Sequence, residues 1–367
     1  MVTVVKILGI ESSCDETAAA IVEDGFRLLS NVVATQIDIH AQYGGVVPEI
    51  AARSHIEAIN PVIEKALNDA ICTWDDIDAI AVTYAPGLVG SLLVGTLAAR
   101  TLAIVKNKPL YAIYHVEGHV YANFITEQSA SLAPQLELPP HAPKFPMLAL
   151  IASGLHTQLV LFRGHGDYTL IGQTQDDAVG EAFDKVAKML GLPYPGGPAV
   201  SAAALDGNPH KHSFPKAQMA NPYDFSFSGL KTAVLRALQR EIGQDYTFPS
   251  HMVSERLSEA QVHDFAASFQ QVAIETIVDK TLQAYQEYQP RSVVIAGGVA
   301  ADRELRRQLR ERLPIAIEYA PQKLCGDNAA MIASLGYYYA QRNQPVDPYT
   351  LEIQPVISMR DTAWANP

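Results

Sequence analysis

The chain has 367 residues, 48% of them hydrophobic and 18% charged, and carries a formal net charge of -12. That length suits two lobes better than one core, and the balance of residue types is that of a folded globular protein. The charge excludes a generic nucleic-acid binder held by a wholly basic surface, leaving room only for a local basic patch.

Residues 1–10 read as a strand, without the basic stretch and cleavage site of a signal peptide. Three cysteines, Cys14, Cys72 and Cys325, form neither a paired framework nor a C-x-x-C, which points to a reducing cytosol. Residues 6–10, 18–23 and 27–35 read as three short strands. Between the first two lies Glu11-Ser12-Ser13-Cys14-Asp15-Glu16-Thr17, dense in acids and hydroxyls. It is either a solvated hairpin turn or a loop facing a phosphate or a metal. Helical periodicity over 48–71, a strand over 77–83 and a helix over 88–106 follow. The uncharged run 79–99 is long enough to cross a bilayer. Pro86-Gly87 splits it into a strand and a helix, and Gly90 and Gly95 suit tight packing, so it reads as buried core with no membrane partner.

A strand over 110–113 leads into Tyr114-His115-Val116-Glu117-Gly118-His119. On a helix His115 and His119 lie one turn apart on one face, where they hold one metal ion or simply pack a helix start. Spacing alone leaves both open. Glu117 lies about 200° around the axis from His115. It points away from that face, unlike the glutamate of the H-E-x-x-H zinc peptidases.

From 127 to 146 the pattern breaks down, with Pro134, Pro139, Pro140, Pro143 and Pro146 inside it. We read a linker at 128–146 between an N-terminal lobe, 1–127, and a C-terminal lobe, 147–341, followed by a tail, 342–367. The opening then repeats. Strands over 147–152, 158–162 and 168–173 surround the small polar turn Ser153-Gly154-Leu155-His156-Thr157, and a strand over 292–296 runs through Gly297-Gly298 into a helix over 302–312. The same order of elements twice gives an α/β fold of duplicated βββαβα units flanking a central cleft.

In the second lobe Gly180-Glu181-Ala182-Phe183-Asp184-Lys185 opens a helix that ends near Gly191. Tyr194-Pro195-Gly196-Gly197-Pro198 is a rigid turn whose glycines let backbone approach a ligand. Phe225-Ser226-Phe227-Ser228-Gly229 alternates like a half-buried strand, and 258–288 is a long helix open to interruption. Cys325-Gly326-Asp327-Asn328 opens the last helix, with Asp327 at or near its N-cap. Arg303, Arg306, Arg307, Arg310 and Arg312 share one helix with Glu304 and Glu311 and read as a solvated face.

Taken together, Gly9-Ile10-Glu11-Ser12-Ser13-Cys14-Asp15-Glu16-Thr17, Gly44-Gly45-Val46-Val47-Pro48-Glu49, the histidine pair, the turns at 153–157 and 194–198, the segments at 180–185 and 225–231, Gly297-Gly298-Val299 and Asp327-Asn328-Ala329-Ala330-Met331-Ile332-Ala333 resemble, in order, the TsaD family. That family was formerly described as O-sialoglycoprotein endopeptidases. The likeness runs over residues 6–336 and implies a two-lobed actin-like ATPase (ASKHA) fold. The implied activity is cytoplasmic transfer of threonylcarbamoyl from threonylcarbamoyl-AMP to N6 of the adenosine 3′ to the anticodon, in tRNAs reading codons that begin with A.

By the same resemblance His115, His119 and Asp327 hold one divalent metal per subunit, iron, with zinc the alternative. Ala152, Ser153, Gly154, Leu155 and His156 form a substrate loop, Asp184 binds the nucleotide ribose, Gly197 lies along the nucleoside, and Ser201 and Asp302 occupy two further substrate-binding positions. Asp15 and Glu16 match acids needed for activity. The implied partners are tRNA, a TsaB-like protein and a TsaE-like ATPase, with a TsaC-type enzyme making the donor. A non-catalytic scaffold and an ATPase or small-molecule kinase of the same fold are the competing classes; a peptidase has least support.

The chain departs from the family pattern in places. Leu155 replaces a glycine, a costly change if that position uses positive φ. Ser201 stands where an acid is expected, and Asp302 where an asparagine is expected, which sets an extra negative charge near an anionic ligand. The proline-rich insert is longer than usual.

Overall fold

The computed structural model describes residues 4–132 and 136–362; Pro134 and the outer ends of the N-terminal lobe and tail lie outside them. The first half opens with an antiparallel meander, β1 (Lys6–Glu11), β2 (Glu16–Glu23) and β3 (Arg27–Thr35). Then come α1 (Ile37–Ala41), α2 (Pro48–Asp69), β4 (Ala79–Ala85), α3 (Val89–Lys106), β5 (Leu110–Tyr114), α4 (His115–Tyr121) and β6 (Glu127–Gln128). The second half repeats the meander as β7 (Met147–Ala152), β8 (Thr157–Gly164) and β9 (Asp167–Gln173). It continues with α5 (Val179–Met189), α6 (Gly196–Ala204), α7 (Ser228–Glu241), α8 (Glu259–Tyr288), β10 (Ser292–Ala296), α9 (Arg303–Arg312), β11 (Ile317–Tyr319), α10 (Gln322–Cys325) and α11 (Ala329–Ala340).

The two sheets run β5-β4-β1-β2-β3-β6 and β11-β10-β7-β8-β9, so the second matches the first strand for strand apart from β6. Sheet faces explain the unbroken apolar runs of β1 and β2. Leu8, Ile10, Ala19 and Ile21 face α2 and α3, while Ile7, Ala18 and Ala20 face the opposite layer, so neither side meets water. That opposite layer comes from the far end of the chain: α11 packs on β1 and β2, and α4 packs on α11, β7 and β10. One continuous apolar core therefore threads both halves.

The predicted split at Pro86-Gly87 is present, with β4 before it and α3 after it. Among the described residues α3 is the one helix long and apolar enough to cross a membrane; its Ser91, Leu92, Gly95, Thr96 and Ala99 are buried.

Local expectations are corrected in several places. Glu16 and Thr17 belong to β2 rather than to the preceding turn. Gly196 begins a helix, so 194–198 is a turn only in its first part. The 258–288 helix is unbroken, starting from a Ser258–Gln261 capping box. Phe225 makes one bridge to Thr174 and no strand follows. Asp176 accepts from the Phe227 N–H at 2.9 Å and the Ser226 hydroxyl at 2.6 Å, and this draws the segment into a turn that starts α7. The short α1, β6 and β11 gave no periodic signal.

The approach of α11 to β1 is made through Gly9, where a Cβ would press on the Ala329 carbonyl and lie 2.7 Å from Ala333 N. Backbone on both sides cannot yield cheaply. Gly9→Ala is expected to lower stability by about 1–3 kcal/mol or more, as overpacking does. A denaturant midpoint equal to that of the parent would contradict this packing.

Candidate active site

The seven-residue α4 springs directly from β5, and every one of its residues is buried. His115 and His119 meet edge to face, with centroids 4.7 Å apart. Asp327 reaches them from the turn between α10 and α11. It is not the cap of α11: Asn328 takes that place, accepting from Met331 N at 3.2 Å and donating to the Gly326 carbonyl at 2.9 Å. Asp327 is thereby released toward the histidines, its Oδ1 3.5 Å from His115 Nε2 and 3.3 Å from His119 Nε2. The latter contact is out of hydrogen-bond alignment, and both ring nitrogens of His119 are buried without a hydrogen bond. Ligand atoms of the three residues lie within 4.8 Å of one another. Atoms that converge on a shared point rather than on each other suit a cation, and a two-nitrogen, one-oxygen set suits a transition metal with positions left open.

Glu11, which sequence reasoning passed over as part of a turn, completes this centre. It is wholly buried at the end of β1. Its Oε1 accepts from Ser13 N at 2.6 Å, and its Oε2 accepts from Thr83 Oγ1 at 2.5 Å and lies 2.9 Å from His115 Nδ1. A carboxylate on Nδ1 keeps the proton there and turns Nε2 toward Asp327. Burial works against the charge on all three groups. The histidine nevertheless holds the Glu11 and Asp327 carboxyls below their ordinary values, and the two acids hold His115 well above its own. The available signal was a carboxylate directly after the uncharged run at 7–10.

The turn after β1 is fastened from behind. His55 Nε2 donates to the Cys14 carbonyl at 3.0 Å and Ser91 Oγ does the same at 3.0 Å, while Thr17 Oγ1 donates to His55 Nδ1 at 2.7 Å. Burial lowers the His55 pKa, in keeping with this neutral tautomer. Leu88 N donates to the Ser13 carbonyl at 2.8 Å, and Ser13 Oγ lies 3.2 Å from His115 Nδ1. Of the two readings open for this segment, it faces the histidine pair rather than solvent. Asp15 is nearly buried. Burial, with the charges of Asp327 and Asp15, pushes the Glu16 carboxyl up to about 9, so it is protonated at neutral pH.

The second half supplies the other wall. Beyond Ala152, at the end of β7, the turn is closed by Ser153 N donating to the His156 carbonyl at 2.8 Å and His156 N donating to Ser153 Oγ at 3.1 Å. Burial and the neighbouring His115 and His119 lower His156 to about 4, and β7, which leads into this loop, packs on α4. Gly154 has open space around it. Leu155 is 65% exposed and is not among the positive-φ residues, so the feared backbone penalty is absent. Asp184 on α5 accepts from Gly196 N at 2.7 Å; burial, then Glu181 and Asp15, raise its carboxyl. Gly196 is packed against Asp184, whereas Gly197 faces open space.

Ser201 and Asp302 prove to be one unit. Ser201 Oγ lies 2.8 Å from Asp302 Oδ2, and Gln270 Nε2 of α8 donates to both, at 3.0 and 2.9 Å. Asp302 Oδ1 caps α9 through Leu305 N at 2.9 Å. Three donors therefore face the charge that sequence reasoning left bare, and Gln270 was not foreseen. Arg307 pairs with Glu304 and Glu311 on a solvated face, as expected. Arg306 turns inward instead, donating to the Ala300 carbonyl at 2.6 Å and to Cys325 Sγ at 3.3 Å, and so steadies the approach to Asp327.

Residues 27–334 match the family described as TsaD: tRNA N6-adenosine threonylcarbamoyltransferase. A protein of that name from Thermomicrobium roseum is 51% identical over 348 residues, 93% of each chain. One from Symbiobacterium thermophilum is 51% identical over 335 residues, 90% of this chain and 91% of its own. Among solved structures, full-length HypF in a phosphate- and nucleotide-bound form superposes on 92% of this chain and 46% of its own, with a TM-score of 0.56 at 11% identity. HypF from T. kodakarensis gives 0.55 at 14% identity, over 92% of this chain and 48% of its own. Likeness at that level concerns the fold alone, and the fold is the two-lobed actin-like one.

The raised Glu16 carboxyl has a measurable consequence. Its folded value lies above the unfolded one, so its contribution to stability is complete below about 4.5 and is lost as pH rises toward about 9. Glu16→Gln mimics the protonated form. In metal-free protein the variant is expected to be more stable than the parent at pH 8, with the gap closing toward pH 4.5; thermal unfolding across that range checks it, and a pH-independent gap would be the contrary result.

Proposed function

The chain belongs to the TsaD family of tRNA N6-adenosine threonylcarbamoyltransferases, and from that premise we propose how it works. It is a tRNA-modifying transferase of the threonylcarbamoyladenosine pathway. The donor we assign is threonylcarbamoyl-AMP, and the acceptor is N6 of the adenosine 3′ to the anticodon in tRNAs reading codons that begin with A. The observation that carries the reading is the convergence of His115, His119 and Asp327, with the His119 nitrogens buried and unbonded.

In the step proposed, N6 forms a bond to the carbamoyl carbon, the carbon–oxygen bond to AMP breaks, and N6 gives up one proton. A divalent metal on His115 Nε2, His119 Nε2 and Asp327, iron in first place and zinc in second, would supply Lewis-acid polarisation and neutralise charge on the donor. Asp184 takes the ribose hydroxyls, and the open face of Gly197 lets the nucleoside lie along the backbone. The Ser153-Gly154-Leu155-His156 loop borders the donor, and the Ser201–Gln270–Asp302 unit closes the wall behind it. Asp15 takes the amine proton, while protonated Glu16 donates to a donor oxygen. A net charge of -12 leaves tRNA capture to partners, for which a TsaB-like protein and a TsaE-like ATPase in the cytoplasm are proposed.

The test is reconstitution with tRNA, those partners and a donor-generating enzyme, followed by nucleoside analysis. Modified adenosine is expected; none, where a related transferase succeeds under the same conditions, would remove the reading. His115→Ala with His119→Ala is expected to abolish bound metal and transfer while the fold survives, checked by elemental analysis and circular dichroism. Asp184→Ala should weaken adenylate binding by about 10- to 150-fold, the equivalent of one charge-assisted pair at 1.5–3 kcal/mol, and leave metal content unchanged. Calorimetry with AMP reads the first and elemental analysis the second.

A further inference from the structure

We propose that Glu117, Tyr168 and the C-terminal segment 354–362 form a positioning assembly that sets the rotation of α4 and thereby aims the two histidines. This rests on the metal reading above and gives a role to the one acid of the histidine motif that the chemistry leaves unused. Glu117 lies on the side of α4 away from Asp327 and is 1% exposed. A carboxylate so buried needs donors, since leaving it unsatisfied costs several kcal/mol. Tyr168 of β9 supplies one, its hydroxyl donating to Glu117 Oε2 at 3.4 Å, and Thr362 Oγ1 lies 3.0 Å from the same hydroxyl.

The tail that brings Thr362 there is tied down along its course. Gln354 N donates to the Tyr84 carbonyl at 2.9 Å, Gly87 N donates to the Pro355 carbonyl at 3.1 Å, and Met359 is buried. Tyr114, the residue before His115, donates its hydroxyl to the Ile357 carbonyl at 3.2 Å. The segment thus grips both the start of α4 and its far face. It also reaches the site by a second route, because Leu88, next to Gly87, donates to the Ser13 carbonyl, and Ser13 Oγ approaches His115. The inner face of α4 has little freedom of its own, for a Cβ at Gly118 would lie 2.9 Å from Ile332 Cδ1. A seven-residue helix cannot hold its orientation through its own hydrogen bonds, so grips on several sides decide where its imidazoles point.

The probe is Co²⁺, whose visible spectrum reports ligand geometry, titrated into the full-length protein freed of metal. Glu117→Leu removes the acceptor while keeping the bulk; Glu117→Gln keeps an acceptor; Tyr168→Phe removes a single hydroxyl. Glu117→Leu and Tyr168→Phe are expected to weaken Co²⁺ binding by about tenfold and to alter its spectrum, while Glu117→Gln restores most of the affinity. Hydrogen exchange of residues 115–121 in the metal-free protein should rise in the first two variants and stay near the parent in the third. A merely structural acid would change thermal stability without that split between leucine and glutamine. Unchanged Co²⁺ affinity and unchanged exchange in both Glu117→Leu and Tyr168→Phe overturn the proposal. If the parent protein itself binds no Co²⁺, the metal reading falls, and the positioning role stands or falls on the exchange of α4 alone.

Discussion

The packing of α4 against α11 is the contact on which the centre depends. It joins the two halves of the chain through Gly118 and Ile332 and presents two imidazoles to a carboxylate that enters just ahead of α11. Glu11, His115 and His119 are buried and Asp327 is partly so, and each charged group is stabilised by its counterparts. Glu11 answers His115, His115 answers Asp327, and Thr83 and Ser13 satisfy Glu11 from behind. His119 lies 3.3 Å from Asp327 without a hydrogen bond, so its nitrogens are the ones whose bonding the protein's own groups leave unsatisfied.

Much of this was legible in the sequence, and the failures have physical causes. Strands buried on both faces gave unbroken apolar runs, and β3 and β10 fall within the expected bounds. The histidine pair was visible from helical spacing, but spacing alone left metal binding and packing equally open; the family likeness supplied Asp327. Asp327 was read at or near the cap and lies one residue before it; Asp327 and Asn328 are both good N-caps locally, and only the distant histidines decide which of them turns away. Phe225 to Gly229 alternated as a strand does, yet Asp176, far off in sequence, captured its amides and hydroxyls. Glu11 and Gln270 were missed for a related reason: each acts through partners remote in sequence, and neither sits in a spacing pattern of its own.

The departures from the family pattern look different once placed. Leu155 is exposed, with no unusual backbone angle, so the loop is altered in surface rather than in shape. Ser201 and Asp302, a missing acid and an added charge when each is taken alone, face each other at hydrogen-bond distance with Gln270 between them. A carboxylate that accepts from Leu305 N, Ser201 and Gln270 has most of its lone-pair directions occupied, and its repulsion of an anion is reduced accordingly.

What remains is an electrostatic conflict that the cleft has to resolve. Asp15, Glu16, Asp184 and Asp327 come from both halves; burial first, and then neighbouring carboxylates, Asp327 and Asp15 for Glu16 and Glu181 and Asp15 for Asp184, raise the Glu16 and Asp184 carboxyls. The proposed donor brings a phosphate into the same space. Two unit negative charges near 4 Å at an effective dielectric of about 20 repel by about 4 kcal/mol, so an adenylate placed among free carboxylates would bind poorly. The protein reduces this in two ways that use its own residues: Glu16 keeps its proton, and Asp302 is surrounded by donors. Neither supplies positive charge. The His115–His119–Asp327 centre is where positive charge would enter, through the cation its donor set fits, and such a cation would attract the donor's phosphate rather than repel it.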